Sequence, residues 1–399
     1  MSIKTDPKII KEFLTRGVEN VYPSQDFLEA RLKGGKQLTI YLGIDPTGPT
    51  LHLGHAINLR KLKLFQELGH KVILLIGDFT GMIGDPTDKS ATRKMLTREQ
   101  VLENAKLYQE QASKFISFGG ENAAELKYNT DWLGKLTFGD VISLAANFSV
   151  QQMLVRDMFK KRMEDDKTIG LHEFLYPLMQ AYDSVAMDVD GEIGGNDQTF
   201  NMLAGRDLMK SLKNKEKFVI TMKLLTYPTG KKMGKSEGNM ITLLDSADEM
   251  FGKVMSWTDE MIDGGFEILT DVSAEEIGII KKDNSNPRDQ KARLAFEVVK
   301  IFHSESDAQK AQENFDKQFR DKEVPEEIVE HKLSFGPMSI VDVLVETGLA
   351  SSKSEARRLI DGGGVKVDGE VVKDYESVVE SKPEGTLIQK GKRGFVKVF

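Results

Sequence analysis

Two short apolar runs, residues 38–44 and 71–76, bracket a segment, 54–68, whose Ile57, Leu59, Leu62, Leu64, Phe65 and Leu68 recur at helical spacing. The second run ends in a glycine-rich loop, residues 77–86. Strand, helix, strand and glycine-rich loop is the order of a βαβ unit, and it predicts an α/β fold with a parallel sheet. Ligands of such sheets sit at the carboxyl ends of the strands.

The 399 residues suggest two or three domains. With 40% apolar and 29% charged residues, disorder, collagen and coiled coil are excluded as whole-chain descriptions. No apolar run approaches the roughly 18 residues of a membrane span, and the first residues lack the apolar stretch of a signal peptide. No partner membrane and a cytoplasmic location are therefore expected. The chain has no Cys, hence no disulfide, thiolate metal site or cysteine nucleophile. No metal site is expected. The net charge of −7, taken globally, argues against a nucleic-acid partner.

Further along, residues 99–118, 137–163 and 171–181 read as helical. Residues 188–195 read as a strand entering a loop, 206–217 as a basic helix and 218–225 as a strand. Residues 245–319 are helical and strand-poor. The polar, acidic stretch 321–335 reads as a linker. After it come two short helices, 341–347 and 353–361, and short strands near 365–367, 386–388 and 394–399. The expected division is an α/β domain at 1–240, a helical domain at 241–325, a linker at 326–337 and a small α+β domain at 338–399.

Two motifs carry chemistry. In His52-Leu53-Gly54-His55 two histidines flank a glycine where a helix begins. A helix N-terminus offers unpaired N–H groups to an anion, Gly54 lets a nucleotide approach, and the imidazoles add donors for charge developing on a phosphate. Two surface histidines in a loop are the plain alternative. The second motif, Lys231-Lys232-Met233-Gly234-Lys235-Ser236, can place two ammonium groups around a polyphosphate, or be a solvated basic loop. The pair, more than a hundred residues apart, is more specific than either alone.

With Tyr41-Leu42-Gly43-Ile44-Asp45-Pro46-Thr47, Thr80-Gly81-Met82-Ile83-Gly84-Asp85-Pro86, Tyr176 through Gln180 to Asp183, and Gly194-Gly195-Asn196-Asp197-Gln198, these motifs resemble the class I aminoacyl-tRNA synthetases. More narrowly, the chain resembles the bacterial tyrosyl-tRNA synthetase family, almost end to end. The resemblance implies a Rossmann-like catalytic domain, ATP as substrate with Mg²⁺ carried on it, L-tyrosine and tRNA(Tyr) as partners, and a homodimer whose interface lies in an insertion at about 121–185. It implies that Tyr41 and Asp183 bind the substrate phenol, and that Asp85, Tyr176 and Gln180 hold its ammonium. Gly43, Asp45, Thr47, His52, Gly54 and His55 would face ATP. Gly195, Asp197 and Gln198 would lie near the ribose and the reacting carboxyl group. Lys89, Arg93, Lys232 and Lys235 would meet the pyrophosphate. Thr47, His52 and His55 would join these four basic residues in catalysis. Tyr176, Gln180 and Asp183 are spaced to share one helix face, with Pro177 expected near the helix start. The sequence departs from the family pattern at Gly234 (commonly Ser), in the stretch Glu192-Ile193 (Gln in many relatives) and in the segment Thr199-Phe200-Asn201 (a Trp in one branch).

Residues 339–399 resemble the small RNA-binding module first known in a ribosomal small-subunit protein, through Ser351-Ser352-Lys353-Ser354-Glu355-Ala356-Arg357-Arg358 and Gly362-Gly363-Gly364-Val365. Lys353, Arg357 and Arg358 would reach phosphates, and Lys390, Lys392, Arg393 and Lys397 would form an unopposed basic tail. The rival readings are a tryptophan-specific synthetase, a small-molecule nucleotidyltransferase and a non-catalytic RNA-binding paralogue.

Overall fold

In a computed structural model, residues 3–86, 95–226, 240–282, 286–320, 328–333, 337–380, 382–383, 385–391 and 394–399 are described. They form two compact units, Met1–Ala308 and Gln309–Phe399.

The first unit is built on a six-stranded sheet: β1 (Val18–Tyr22), β2 (Thr39–Ile44), β3 (Lys71–Ile76), β4 (Glu125–Tyr128), β5 (Gly191–Gly195) and β6 (Phe218–Met222). The spatial order is β1-β6-β5-β2-β3-β4. All neighbours are parallel except β1, which runs antiparallel to β6 at one edge. Strands β3 and β6 read as continuous apolar runs because helices cover a parallel sheet on both faces. From β2 the chain winds outward to β3, and from β5 it winds the other way to β6. The boundary between β2 and β5 is therefore the topological switch point. Their ladder is brief. Ile40 pairs with Gly191 and Tyr41 with Glu192, and pairing stops there. β2 stays paired to β3 as far as Ile44, and β5 to β6 as far as Gly195. The unpaired ends of β2 and β5 open a cleft.

Gly191 is dictated by packing. A Cβ there would lie 2.1 Å from the ring of Phe218, which is fully buried in β6.

Several sequence expectations are corrected. The helical stretch expected at 99–118 is two helices, Arg98–Ala105 and Tyr108–Ala112, and the 137–163 stretch is three, Phe138–Ala145, Val150–Leu154 and Asp157–Glu164. Thr137 and Ser149 restart helices as caps inside the latter stretch. The Leu171–Met187 helix runs through Pro177 rather than starting near it. Its start is fixed six residues earlier, where the Glu173 carboxylate accepts the Gly170 N–H at 2.8 Å and is held by Arg162 in a two-bonded fork. The basic helix expected at 206–217 is Thr199–Lys213, so Lys217 lies beyond it, just before β6.

The first compact unit also takes in the helices Ala247–Met255, Met261–Leu269, Ala274–Lys282 and Pro287–Phe302. Arg16 and Arg60 donate to the Thr270 carbonyl at the end of the Met261–Leu269 helix, tying this segment to the N-terminal part. Such cations suit a helix C-terminus.

In the second unit the expected helices and strands are present: Ile340–Glu346, Lys353–Asp361, Val365–Val367, Thr386–Lys390 and Gly394–Val398. Ile340, Leu344, Ala356, Ile360, Ile388 and Val396 form its core. Within the stretch expected as linker, Val329–His331 is a strand, parallel to Gly394–Val398. Among the described residues no helix is long and apolar enough to cross a membrane.

Candidate active site

The cleft at the switch point has a volume of about 390 Å³. Tyr41, Gly43, Asp45, Thr47, His52, Gly54, His55, Asp85, Tyr176, Gln180, Asp183, Gly195, Asp197 and Gln198 all line it. Every described residue singled out for this site by the sequence is thus brought to one place. Lys89, Arg93, Lys232, Lys235, Lys392 and Arg393 lie outside the described residues.

His52 caps the Leu53–Glu67 helix. Its Nδ1 accepts the Gly54 N–H at 3.1 Å, and His55 Nδ1 accepts the His52 N–H at 3.2 Å. The ring centroids are 3.9 Å apart. Burial pulls His52 down from its ordinary value to about 4. Burial, with His52 alongside, pulls His55 well below the ordinary range. Both are therefore neutral at pH 7. Because each Nδ1 accepts, each proton sits on Nε2, which leaves one neutral N–H donor per ring. Gly54 is required by this cap, since a Cβ would lie 2.9 Å from His52 Cε1.

At the base of the cleft Tyr41 is fully buried in β2, and its hydroxyl meets Ser184 Oγ at 3.0 Å. Asp183, also buried, accepts from Trp132 Nε1 at 2.7 Å and Asn129 Nδ2 at 3.3 Å. The two groups proposed by resemblance for the phenol thus converge on the cleft while their own hydrogen bonds run to different partners. Burial pushes Tyr41 far above its usual value, with Glu192 and Asp183 adding to it. Burial also pushes the Asp183 carboxyl well up, against the two donors that favour its ionised form.

Nearer the mouth, the Tyr176 hydroxyl donates to Asp45 Oδ2 at 2.8 Å and Thr80 to Asp45 Oδ1 at 2.7 Å. Gln198 Nε2 donates to Asp85 Oδ2 at 2.5 Å, and Asn201 Nδ2 to Gln198 Oε1 at 3.0 Å. Arg156 sits 3.8 Å from Asp85 and lies over the ring of Phe200, 4.9 Å from its centroid. The Phe200 ring is thus a platform for the cation beside Asp85. A Cβ on Gly77 would fall 2.0 Å from Asp45 Oδ1, so the loop after β3 closes on that carboxylate only through glycine. Among the described residues no cluster of three or more His, Cys, Asp or Glu is arranged to hold a metal.

Sequence reasoning missed Trp132, Asn129, Ser184 and Lys217. Lys217 reads as one more cation in a basic segment, yet it is fully buried and paired with Glu192 at 2.5 Å. The signal was Glu192 itself, an acid flagged as departing from the family pattern and needing a buried cation.

In the second unit Lys353, Arg357 and Arg358 are exposed on the Lys353–Asp361 helix. Lys353 pairs with Asp342 at 2.6 Å, and Arg357 lies over the Tyr375 ring. Lys390 pairs with Glu355 at 3.3 Å, so it is not part of an unopposed tail.

Known proteins agree with this architecture. The family model described as tRNA synthetases class I (W and Y) matches residues 33–320, and the S4 domain model matches residues 338–382. The tyrosine–tRNA ligase of Thermotoga maritima is 47% identical over 393 residues, covering 97% of this chain and 96% of the relative. That of Idiomarina loihiensis is 46% identical over 391 residues, covering 96% of each. Among solved structures, a C-terminally truncated mitochondrial tyrosyl-tRNA synthetase of Aspergillus nidulans superposes with a TM-score of 0.64 at 23% identity, covering 78% of this chain and 94% of its own. The tyrosyl-tRNA synthetase of Archaeoglobus fulgidus complexed with L-tyrosine gives 0.59 at 20% identity, covering 76% and 99%. These two likenesses concern the fold. By the match over residues 33–320 and the near full-length identity to its bacterial relatives, the chain belongs to the class I tRNA synthetases of the W and Y group.

Proposed function

We propose that this chain is a tyrosine–tRNA ligase that uses the switch-point cleft for both of its steps. A tyrosine carboxylate oxygen bonds to the α-phosphorus of ATP as the α–β bridging bond breaks, giving tyrosyl-adenylate and pyrophosphate. A ribose hydroxyl at the 3′ end of tRNA(Tyr) then attacks the tyrosyl carbonyl, and AMP leaves. ATP carries Mg²⁺ in with it. No protein nucleophile is needed, and catalysis is positioning with charge stabilisation.

The observation that carries the reading is the pairing of two unlike ends in one cleft. The buried end presents Tyr41 and Asp183, a hydroxyl and a carboxyl, to a group that must both accept and donate. A phenol does both. An indole N–H only donates and can accept from neither group, which disfavours tryptophan. The open end places the Nε2–H donors of His52 and His55 at a helix N-terminus, where phosphate charge develops. Asp85, Tyr176 and Gln180 take the ammonium between the two ends. Asp45, Thr47, Gly43 and Gly54 border ATP, with Gly195, Asp197 and Gln198 at the ribose and carboxyl group. Lys89, Arg93, Lys232 and Lys235 complete the pyrophosphate side.

The second unit supplies tRNA contacts through Lys353, Arg357, Arg358, Lys390, Lys392 and Arg393. A homodimer through the segment 121–185 belongs to this reading, and the exposure of Phe138 and Leu171, 81% and 80%, supports it. The enzyme works in the cytoplasm.

Amino-acid-dependent pyrophosphate exchange with the purified chain tests the activity. Tyrosine supports exchange and tryptophan does not; the reverse result, or no exchange with either, overturns it.

A further inference from the structure

Behind the phenol end lies a buried polar chain. Glu192 and Lys217 are 2% and 0% exposed. Lys217 Nζ donates to Glu192 Oε2 at 2.5 Å and to Ser184 Oγ at 2.8 Å, and Ser184 Oγ lies 3.0 Å from the Tyr41 hydroxyl. The other carboxylate oxygen, Glu192 Oε1, accepts Gln180 Nε2 at 3.0 Å. Gln180 Oε1 is buried and has no hydrogen-bond partner among the described residues. Gly205 makes the space: a Cβ there would lie 2.6 Å from Lys217 Nζ and 2.9 Å from Ser184 Oγ.

Donor and acceptor chemistry limits the directions. An ammonium only donates, so Ser184 accepts from Lys217, while between Ser184 and the Tyr41 hydroxyl either oxygen can donate. The Tyr41 hydroxyl is thus held from behind by Ser184, with the Glu192 carboxylate as a further acceptor. A carboxylate only accepts, so Gln180 turns its NH₂ to Glu192 and its carbonyl oxygen away from it.

We infer that Glu192 and Lys217 are positioning residues for the amino acid. Through Ser184 they fix the Tyr41 hydroxyl at the phenol end, and through Gln180 they present a carbonyl acceptor to the substrate ammonium. One buried ion pair thus anchors the groups at both ends of the bound tyrosine. Phenylalanine leaves the phenol end unsatisfied, the circumstance in which polar sites reject an analogue most strongly. The inference rests on the tyrosine-activating reading above.

The test is tyrosine- and phenylalanine-dependent pyrophosphate exchange by the full chain, with thermal unfolding followed in parallel. Ser184→Ala keeps the fold and cuts the bond to Tyr41. It is expected to lower the tyrosine-to-phenylalanine ratio of kcat/KM about tenfold, through the tyrosine KM, and to leave the phenylalanine value within twofold. Glu192→Gln disturbs both ends: its amide competes with that of Gln180, so KM rises about tenfold for phenylalanine as well, and the ratio also falls. A purely structural role would lower the melting temperature or kcat and leave the ratio untouched. An active wild type whose Ser184→Ala variant keeps the ratio within twofold overturns the relay, and does so even if Glu192→Gln fails to fold. A wild type without tyrosine-dependent exchange overturns the activity reading, and the relay falls with it.

Discussion

His55 Nδ1 accepts the backbone N–H of His52, while His52 Nδ1 accepts that of Gly54. Each ring is thereby committed as a cap before any substrate arrives. Neutral imidazoles donate one proton each, in a direction that the cap fixes.

The histidine charge states give a pH prediction. His52 and His70 are both drawn down by burial to about 4, and His55 lower still than its ordinary range. On NMR titration the His52 and His70 ring signals stay in their neutral positions down to about pH 5, and exchange activity shows no acid limb near 6.5 from this pair. The sign for stability follows. Histidines with a native pKa below the unfolded value contribute fully above about pH 6.5 and lose that contribution as pH falls toward 4. Asp183, raised by burial, acts oppositely: its contribution is present in acid and ebbs as pH rises.

Trp132→Phe removes the 2.7 Å donor to Asp183 and keeps most of the ring volume. Hydrogen bonds to charged groups are worth about 1.5–3 kcal/mol. The tyrosine KM in pyrophosphate exchange is expected to rise about 10- to 100-fold, with a much smaller change for phenylalanine.

Arg162→Met leaves the Glu173 carboxylate buried without its two-bonded partner. Loss of one member of a buried pair costs about 3–5 kcal/mol. A lower midpoint in urea unfolding checks this. Because Glu173 also caps the helix that carries Tyr176, Gln180 and Asp183, tyrosine affinity should weaken in the folded fraction.

Gly77→Ala drives a Cβ against Asp45 Oδ1 and, at 2.5 Å, Thr80 Oγ1. The Asp45 hydrogen bonds to Thr80 and Tyr176 must shift. An ATP KM raised at least tenfold, with the melting temperature nearly unchanged, is the expected outcome.

Arg357→Ala with Arg358→Ala alters exposed side chains of the second unit. Exchange should match wild type. Aminoacylation of tRNA should fall about tenfold at moderate salt, and the salt dependence of tRNA binding should become shallower, since each phosphate contact contributes to that slope.

Much of this was legible from residue order. The βαβ pattern, the helix-start histidines and the Tyr176, Gln180 and Asp183 face are local signals, and the structure places them as their spacing implies. The misjudged parts depend on distant partners. Lys217 looks like surface charge until Glu192, on the neighbouring strand, is known to face it. Lys390 reads as free charge because Glu355 is 35 residues away. Global charge misled for a related reason: a net value of −7 carries no information about where the cations sit.

The early end of the β2–β5 ladder has a consequence for how the amino acid is chosen. Beyond Tyr41 and Glu192 three residues of each strand run on unzipped, about 10 Å of backbone at roughly 3.3 Å per residue. That length is a ruler built from main chain. It sets the spacing between the base of the cleft and the far ends of β2 and β5 whatever side chains line the walls, so under the proposed activity changes at the base can redefine which ring is accepted while the reacting carboxylate still arrives at the same station.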